Sequence, residues 1–85
     1  MKQFNFTIKD PAGIHARPAG ELIKVAKNYE STITIKKGDK SAAADRIFGI
    51  MGLAAKQNDE LVIEINGADE DKAYEGLVEF FNNNL

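Results

Sequence analysis

Residues 61–81 read Leu61-Val62-Ile63-Glu64-Ile65-Asn66-Gly67-Ala68-Asp69-Glu70-Asp71-Lys72-Ala73-Tyr74-Glu75-Gly76-Leu77-Val78-Glu79-Phe80-Phe81. Leu61, Ile63 and Ile65 alternate with Val62 and Glu64, the period of a strand with one buried face. Beyond Asn66-Gly67 the period changes. Ala73, Tyr74, Leu77, Val78 and Phe81 recur at helical spacing, and Asp69, Glu70 and Asp71 stand where an N-cap and first turn favour negative charge. Asn66-Gly67 by itself would suggest a hairpin, but the helical period after it makes it the end of the strand. A strand therefore runs directly into an amphipathic helix, and that helix needs a sheet on which to bury its stripe.

Working outward, Phe4, Phe6 and Ile8 alternate as a first strand, and Asp10-Pro11-Ala12-Gly13 signals a loop. Ala19, Leu22, Ile23 and Ala26 then form a helix face. Ile33 and Ile35 mark a strand within Ser31–Lys36. Lys37-Gly38-Asp39 turns it into a weaker returning strand from Lys40 to Ala44. Ile47–Leu53 reads as a brief helix. The order is β-α-β-β-α-β-α, with residues 1–85 as one domain free of repeats and linkers. Helices with one apolar stripe each require one face of an antiparallel sheet, which predicts an α+β two-layer sandwich.

Composition narrows the chemistry. With no cysteine and one histidine in 85 residues, disulfide frameworks, zinc fingers, thiol nucleophiles and multi-histidine metal centres are excluded. No apolar run approaches the roughly 18 residues of a membrane span, and the start of the chain lacks a signal-peptide core. A cytoplasmic, monomeric protein is expected, with no cofactor, no metal and no insertion into a membrane. The net charge of −2 conceals +5 over residues 1–58 and −7 over residues 59–85. The acidic last third argues against nucleic acid as a partner, whereas the basic part can steer the chain toward an acidic protein.

The only histidine lies in Gly13-Ile14-His15-Ala16-Arg17-Pro18-Ala19-Gly20, where loop becomes helix. Proline is tolerated in a first turn and excluded from a helix interior, so Pro18 fixes that boundary. His15 falls at or beside the N-cap. The unpaired N–H groups of Ala16 and Arg17 point out of the helix start, where anions bind, and the Arg17 guanidinium suits phosphate oxygens. Nucleophile, donors and charge converge on phosphoryl chemistry.

Other chemistries lack their motifs. No phosphate-binding G-x-x-x-x-G-K-[ST] loop is present, and neither Ser31 nor Ser41 sits in a nucleophile elbow. Asp59-Glu60 precedes a strand and Asp69-Glu70-Asp71 opens a helix, so both acidic clusters read as structural. On the first helix, Arg17, Lys24 and Lys27 make a basic stripe opposite the core, with Gly20 a flat place between them. On the short helix, Ile47, Phe48 and Met51 face away from Ile50 and Leu53. A helix of one and a half turns cannot bury both sets, so an exposed apolar patch beside a basic stripe is expected to dock a partner.

These motifs, with Ile47-Phe48-Gly49-Ile50-Met51-Gly52-Leu53 and Asn66-Gly67-Ala68-Asp69-Glu70, resemble the HPr family over essentially the whole chain. HPr proteins are the histidine-containing phosphocarriers of the bacterial phosphoenolpyruvate-dependent sugar phosphotransferase system. The resemblance implies an open-faced β-sandwich, a four-stranded antiparallel sheet with its helices on one face. It implies a carrier, not an enzyme: His15 accepts a phosphoryl group on Nδ1 from Enzyme I and passes it to IIA domains of sugar permeases. Arg17 would contact that group, the backbone of Ala16 and Arg17 would cradle it, and Gly20, Lys24, Lys27, Ile47, Phe48 and Met51 would dock both partners. The alternatives are a carrier for a nitrogen-related or single-sugar branch, or a non-catalytic regulatory module.

Two positions depart from the family pattern. Ala12 stands where many members have a polar residue near the phosphoryl oxygens. Arg46 stands where some members carry a regulatory serine phosphorylated by an ATP-dependent kinase, so that switch is absent here. Asp45 is expected to cap the short helix in its place.

Overall fold

The computed structural model describes residues 1–85. Its elements are β1 (Lys2–Thr7), α1 (Ala16–Ala26), β2 (Thr32–Lys37), β3 (Lys40–Ala43), α2 (Ile47–Gly52), β4 (Glu60–Asn66) and α3 (Glu70–Asn84). The four strands form one sheet in the order β1-β4-β2-β3, antiparallel throughout. β1 and β2 thus leave a gap between them that β4 fills. The strand with three fully buried residues, Leu61, Ile63 and Ile65, takes this inner position, where it pairs on both sides.

Register puts the apolar residues on one face. Phe4 and Phe6 oppose Ile63 and Leu61, and Ile33 and Ile35 oppose Ile65 and Ile63. The alternate positions, such as Gln3, Glu64 and Thr34, share the other face. A one-residue slip would invert both sets, so burial specifies the pairing. Ala19 and Leu22 of α1, Ile50 of α2 and Ala73, Leu77, Phe80 and Phe81 of α3 complete the core. Phe81 is its aromatic hub, edge-on to Phe4, Phe6 and Phe80 at centroid distances of 5.8, 5.2 and 5.9 Å.

α1 starts at Ala16 with His15 as its N-cap, as Pro18 in the first turn requires. The boundaries differ from expectation at three places. β2 runs Thr32–Lys37, one residue later than the expected Ser31–Lys36. β3 ends at Ala43, although Ala44 still donates its N–H to the Ile33 carbonyl at 2.9 Å. α2 ends at Gly52, with Leu53 as its C-cap. At the strand end, Gly67 is required by packing: a Cβ there would lie 2.6 Å from Ser31 Cα. No helix is long and apolar enough to cross a membrane.

Candidate phosphoryl-acceptor site

His15 is the N-cap of α1, with extended backbone (φ −102°, ψ −177°) and no side-chain bond to the helix donors. Its imidazole is therefore free to face outward. The first intrahelical bond runs from Ala19 N–H to the His15 carbonyl at 3.1 Å. Pro18 has no N–H, so the free donors of the first turn belong to Ala16 and Arg17. Arg17 is exposed, and its guanidinium has no hydrogen-bond or ion-pair partner in the chain.

The loop before His15 is held at both ends. Ala12 N–H donates to Asp10 Oδ1 at 2.8 Å, and Gly13 N–H to the Asp10 carbonyl at 2.9 Å. Ile14, buried, donates its N–H to the Ala55 carbonyl at 3.2 Å. Gly13 has φ +65°, and a Cβ there would run into that same carbonyl oxygen and lie 2.9 Å from Lys56 Cα. Both the left-handed backbone and the close approach demand glycine. The loop thereby brings Asp10 Oδ2 to 3.7 Å from His15 Nε2, with the imidazole side chain 39% exposed.

The expected docking residues lie on α1 and α2, which pack against each other, and at the C-cap of α1. Lys24 and Lys27 are exposed, and a Cβ added at Gly20 would meet nothing within 4 Å. Phe48 is 89% exposed, Met51 and Ile47 are partly so, and Ile50 and Leu53 are buried. The short helix thus sorts its two apolar sets as its length demands. Asp45, however, does not cap it. Arg46 is the N-cap (φ −120°, ψ 104°), with no side-chain capping bond, and its Nε lies 3.9 Å from Asp45 Oδ1. Asp45 stands one residue outside the capping position, and an arginine there has no acceptor to offer the helix donors.

The acidic clusters bind backbone. Asp69 is the N-cap of α3, yet its carboxylate accepts from Glu30 N–H at 2.8 Å, Ser31 N–H at 2.9 Å and the Ser31 hydroxyl. The Ser31 hydroxyl, then the Glu30 N–H, hold its pKa below the ordinary value. Asp59 is lowered by the Lys56 N–H, then by Lys37. Glu70 is lowered by the N-terminal ammonium, then by the Gly67 N–H. One neighbour of His15 is not legible in the sequence: Asp10 reads there as a turn residue, and no local spacing links it to the imidazole.

A family model described as "PTS HPr component phosphorylation site" matches residues 2–83. The phosphocarrier protein HPr of Lysinibacillus sphaericus is 44% identical over 77 residues, 91% of this chain and 88% of that protein. Among solved structures, HPr-C-His from Thermoanaerobacter tengcongensis superposes with a TM-score of 0.92 at 34% identity, covering 98% of this chain and 93% of the other. A structure titled as an HPr dimer from the same organism gives 0.77 at 34% identity, covering 98% and 95%. With the fold, the matched family and these relatives in agreement, the chain belongs to the HPr family of phosphotransferase-system phosphocarriers.

Proposed function

We propose that the chain, as one domain over residues 1–85, carries a phosphoryl group on His15, received from Enzyme I and delivered to IIA domains of sugar permeases. The observation that supports this most is the convergence at the start of α1 of an uncommitted imidazole with two free backbone donors. Asp10 Oδ2 lies 3.7 Å away on the Nε2 side, so this reading gives Nδ1, the other ring nitrogen, to phosphorus. In the transfer, the bond from phosphorus to its donor breaks as the Nδ1–P bond forms. The Ala16 and Arg17 N–H groups and the Arg17 guanidinium take up the phosphoryl charge. The reverse exchange hands the group to the acceptor and restores the imidazole, so the protein is a relay without turnover of its own on a small molecule.

Gly20, Lys24, Lys27, Ile47, Phe48 and Met51 form the docking surface in this reading, and the carrier works as a monomer in the cytoplasm. Incubation with phosphoenolpyruvate, Mg²⁺ and Enzyme I tests it. One acid-labile phosphoryl group per chain is expected, and none on the His15→Ala variant. A phosphorylated His15→Ala protein would end the assignment of His15.

A further inference from the structure

Lys37, the last residue of β2, sends its ammonium group across to the turn after α2. Its Nζ donates to the Leu53 carbonyl at 3.2 Å and the Ala54 carbonyl at 3.0 Å, and lies 3.2 Å from Asp59 Oδ2. Three acceptors match the three ammonium protons. Leu53 is the C-cap of α2 and Ala54 follows it, at the helix end where carbonyls lack helical partners and a cation is favoured. Ala54 is in the left-handed region at φ +52°, a conformation that costs a residue with a Cβ and needs an external hold. Asp59 in turn accepts the Lys56 N–H at 2.9 Å, so one lysine fastens both ends of the 53–59 turn.

Both ends of the His15 loop are anchored on this turn. On the β1 side, Ile8 N–H donates to the Asp59 carbonyl at 3.0 Å, Asn58 N–H to the Ile8 carbonyl at 2.8 Å, and Gln57 Nε2 to the Lys9 carbonyl at 3.1 Å. On the α1 side, Ile14 N–H donates to the Ala55 carbonyl, against which Gly13 is packed. The first anchor sets Asp10 and the second sets His15, the pair separated by 3.7 Å.

We propose that Lys37 is a positioning residue for phosphoryl transfer, acting through the 53–59 turn to hold the Asp10–His15 loop in register with α2. The proposal rests on His15 being the phosphoryl acceptor. Displacements of about 1 Å in such sites cost up to a hundredfold in rate, and without the ammonium the turn loses three of its ties at once.

The test compares wild type, Lys37→Met and Lys37→Arg in single-turnover transfer from phosphorylated Enzyme I, alongside amide hydrogen exchange. Lys37→Met should lower the transfer rate constant about ten- to a hundredfold and leave the half-saturating Enzyme I concentration within about twofold. Its Ile14 amide should exchange faster while the Ile63 amide of β4 stays protected. Lys37→Arg, which keeps charge and donors, should restore most of the rate. Wild-type transfer by Lys37→Met would overturn the proposal, and so would a loss of rate in which Ile14 and Ile63 exchange faster together, since that is mere destabilisation. If the wild-type chain itself accepts no phosphoryl group, the carrier reading fails, an outcome distinct from equal transfer by wild type and variant.

Discussion

Pro18 has no N–H to give, so the first turn of α1 offers an anion just two backbone donors and whatever Arg17 adds. Arg17 also pays a penalty for being there. A cation at a helix N-terminus opposes the dipole, and the chain supplies it no counter-charge. Binding a phosphoryl group removes that conflict. Arg17→Ala should therefore slow transfer to His15 by about ten- to a hundredfold, the worth of a hydrogen bond to a charged group at about 1.5–3 kcal/mol. Enzyme I affinity should change much less, which titration calorimetry with unphosphorylated partners would check. Arg46 acts at longer range. It is exposed, with only a 3.9 Å approach from Asp45, and adds a fixed positive charge beside α2. Arg46→Ser should slow association with an acidic partner at low ionic strength, and stopped-flow rates should converge with wild type near 1 M salt, where the Debye length is about 3 Å. A side chain without a hydroxyl cannot serve a serine kinase, so ATP-dependent phosphorylation at this position should be absent by mass spectrometry.

The six residues of α2 show how an element too short to be buried divides its surface. Ile50 faces the core and is fully buried, whereas Phe48 is 89% exposed. Phe48 therefore contributes little to folding and remains available to a partner. Phe48→Ala should leave the melting temperature near that of wild type and weaken Enzyme I binding by about 1–3 kcal/mol, as truncation of an aromatic hot spot does. Unchanged affinity would remove the patch from the docking surface. α3 is the opposite case. Its Ala73, Leu77, Phe80 and Phe81 are all buried, so its role is to close the core over the sheet.

Three carboxylates tie distant parts of the chain and set the acid stability of the molecule. Asp69 joins α3 to the segment entering β2, Asp59 joins the 56–59 turn to β2, and Glu70 receives the N-terminal ammonium at 2.9 Å. Their pKa values are lowered in the folded state from ordinary values of 3.8, 3.8 and 4.5. A depressed carboxylate contributes stability that is complete above its unfolded pKa and is lost as pH falls through the folded one. The melting temperature should thus hold steady through neutral pH and drop as the pH falls below the ordinary carboxylate values of 3.8 to 4.5. Asp69→Asn should lower it at pH 7 and flatten that drop, measured by circular dichroism across the range. An unchanged acid profile would mean the Asp69 bonds contribute nothing to this dependence.

Periodicity makes β1, α1, β2, β4 and α3 legible, because burial on one face imposes a spacing of two on strands and of three to four on helices, whereas β3 is legible only through the Lys37-Gly38-Asp39 turn. Leu61-Val62-Ile63-Glu64-Ile65 and the stripe from Ala73 to Phe81 carry that imprint directly. The start of α1 was legible for a local reason as well: Pro18 marks a first turn, and the donors around His15 follow from helix geometry. Residue type points to Asp45 as the cap of α2, but Arg46 stands there, one position on, a distinction made by backbone angles and not by residue type. Strand order, the approach of Asp10 to His15 and the reach of Lys37 to residues 53–59 depend on segments far apart in the chain. No local spacing encodes them. Only folding the sheet with β4 between β1 and β2 brings those side chains together, since the energy deciding that order is the shared burial of the whole apolar face.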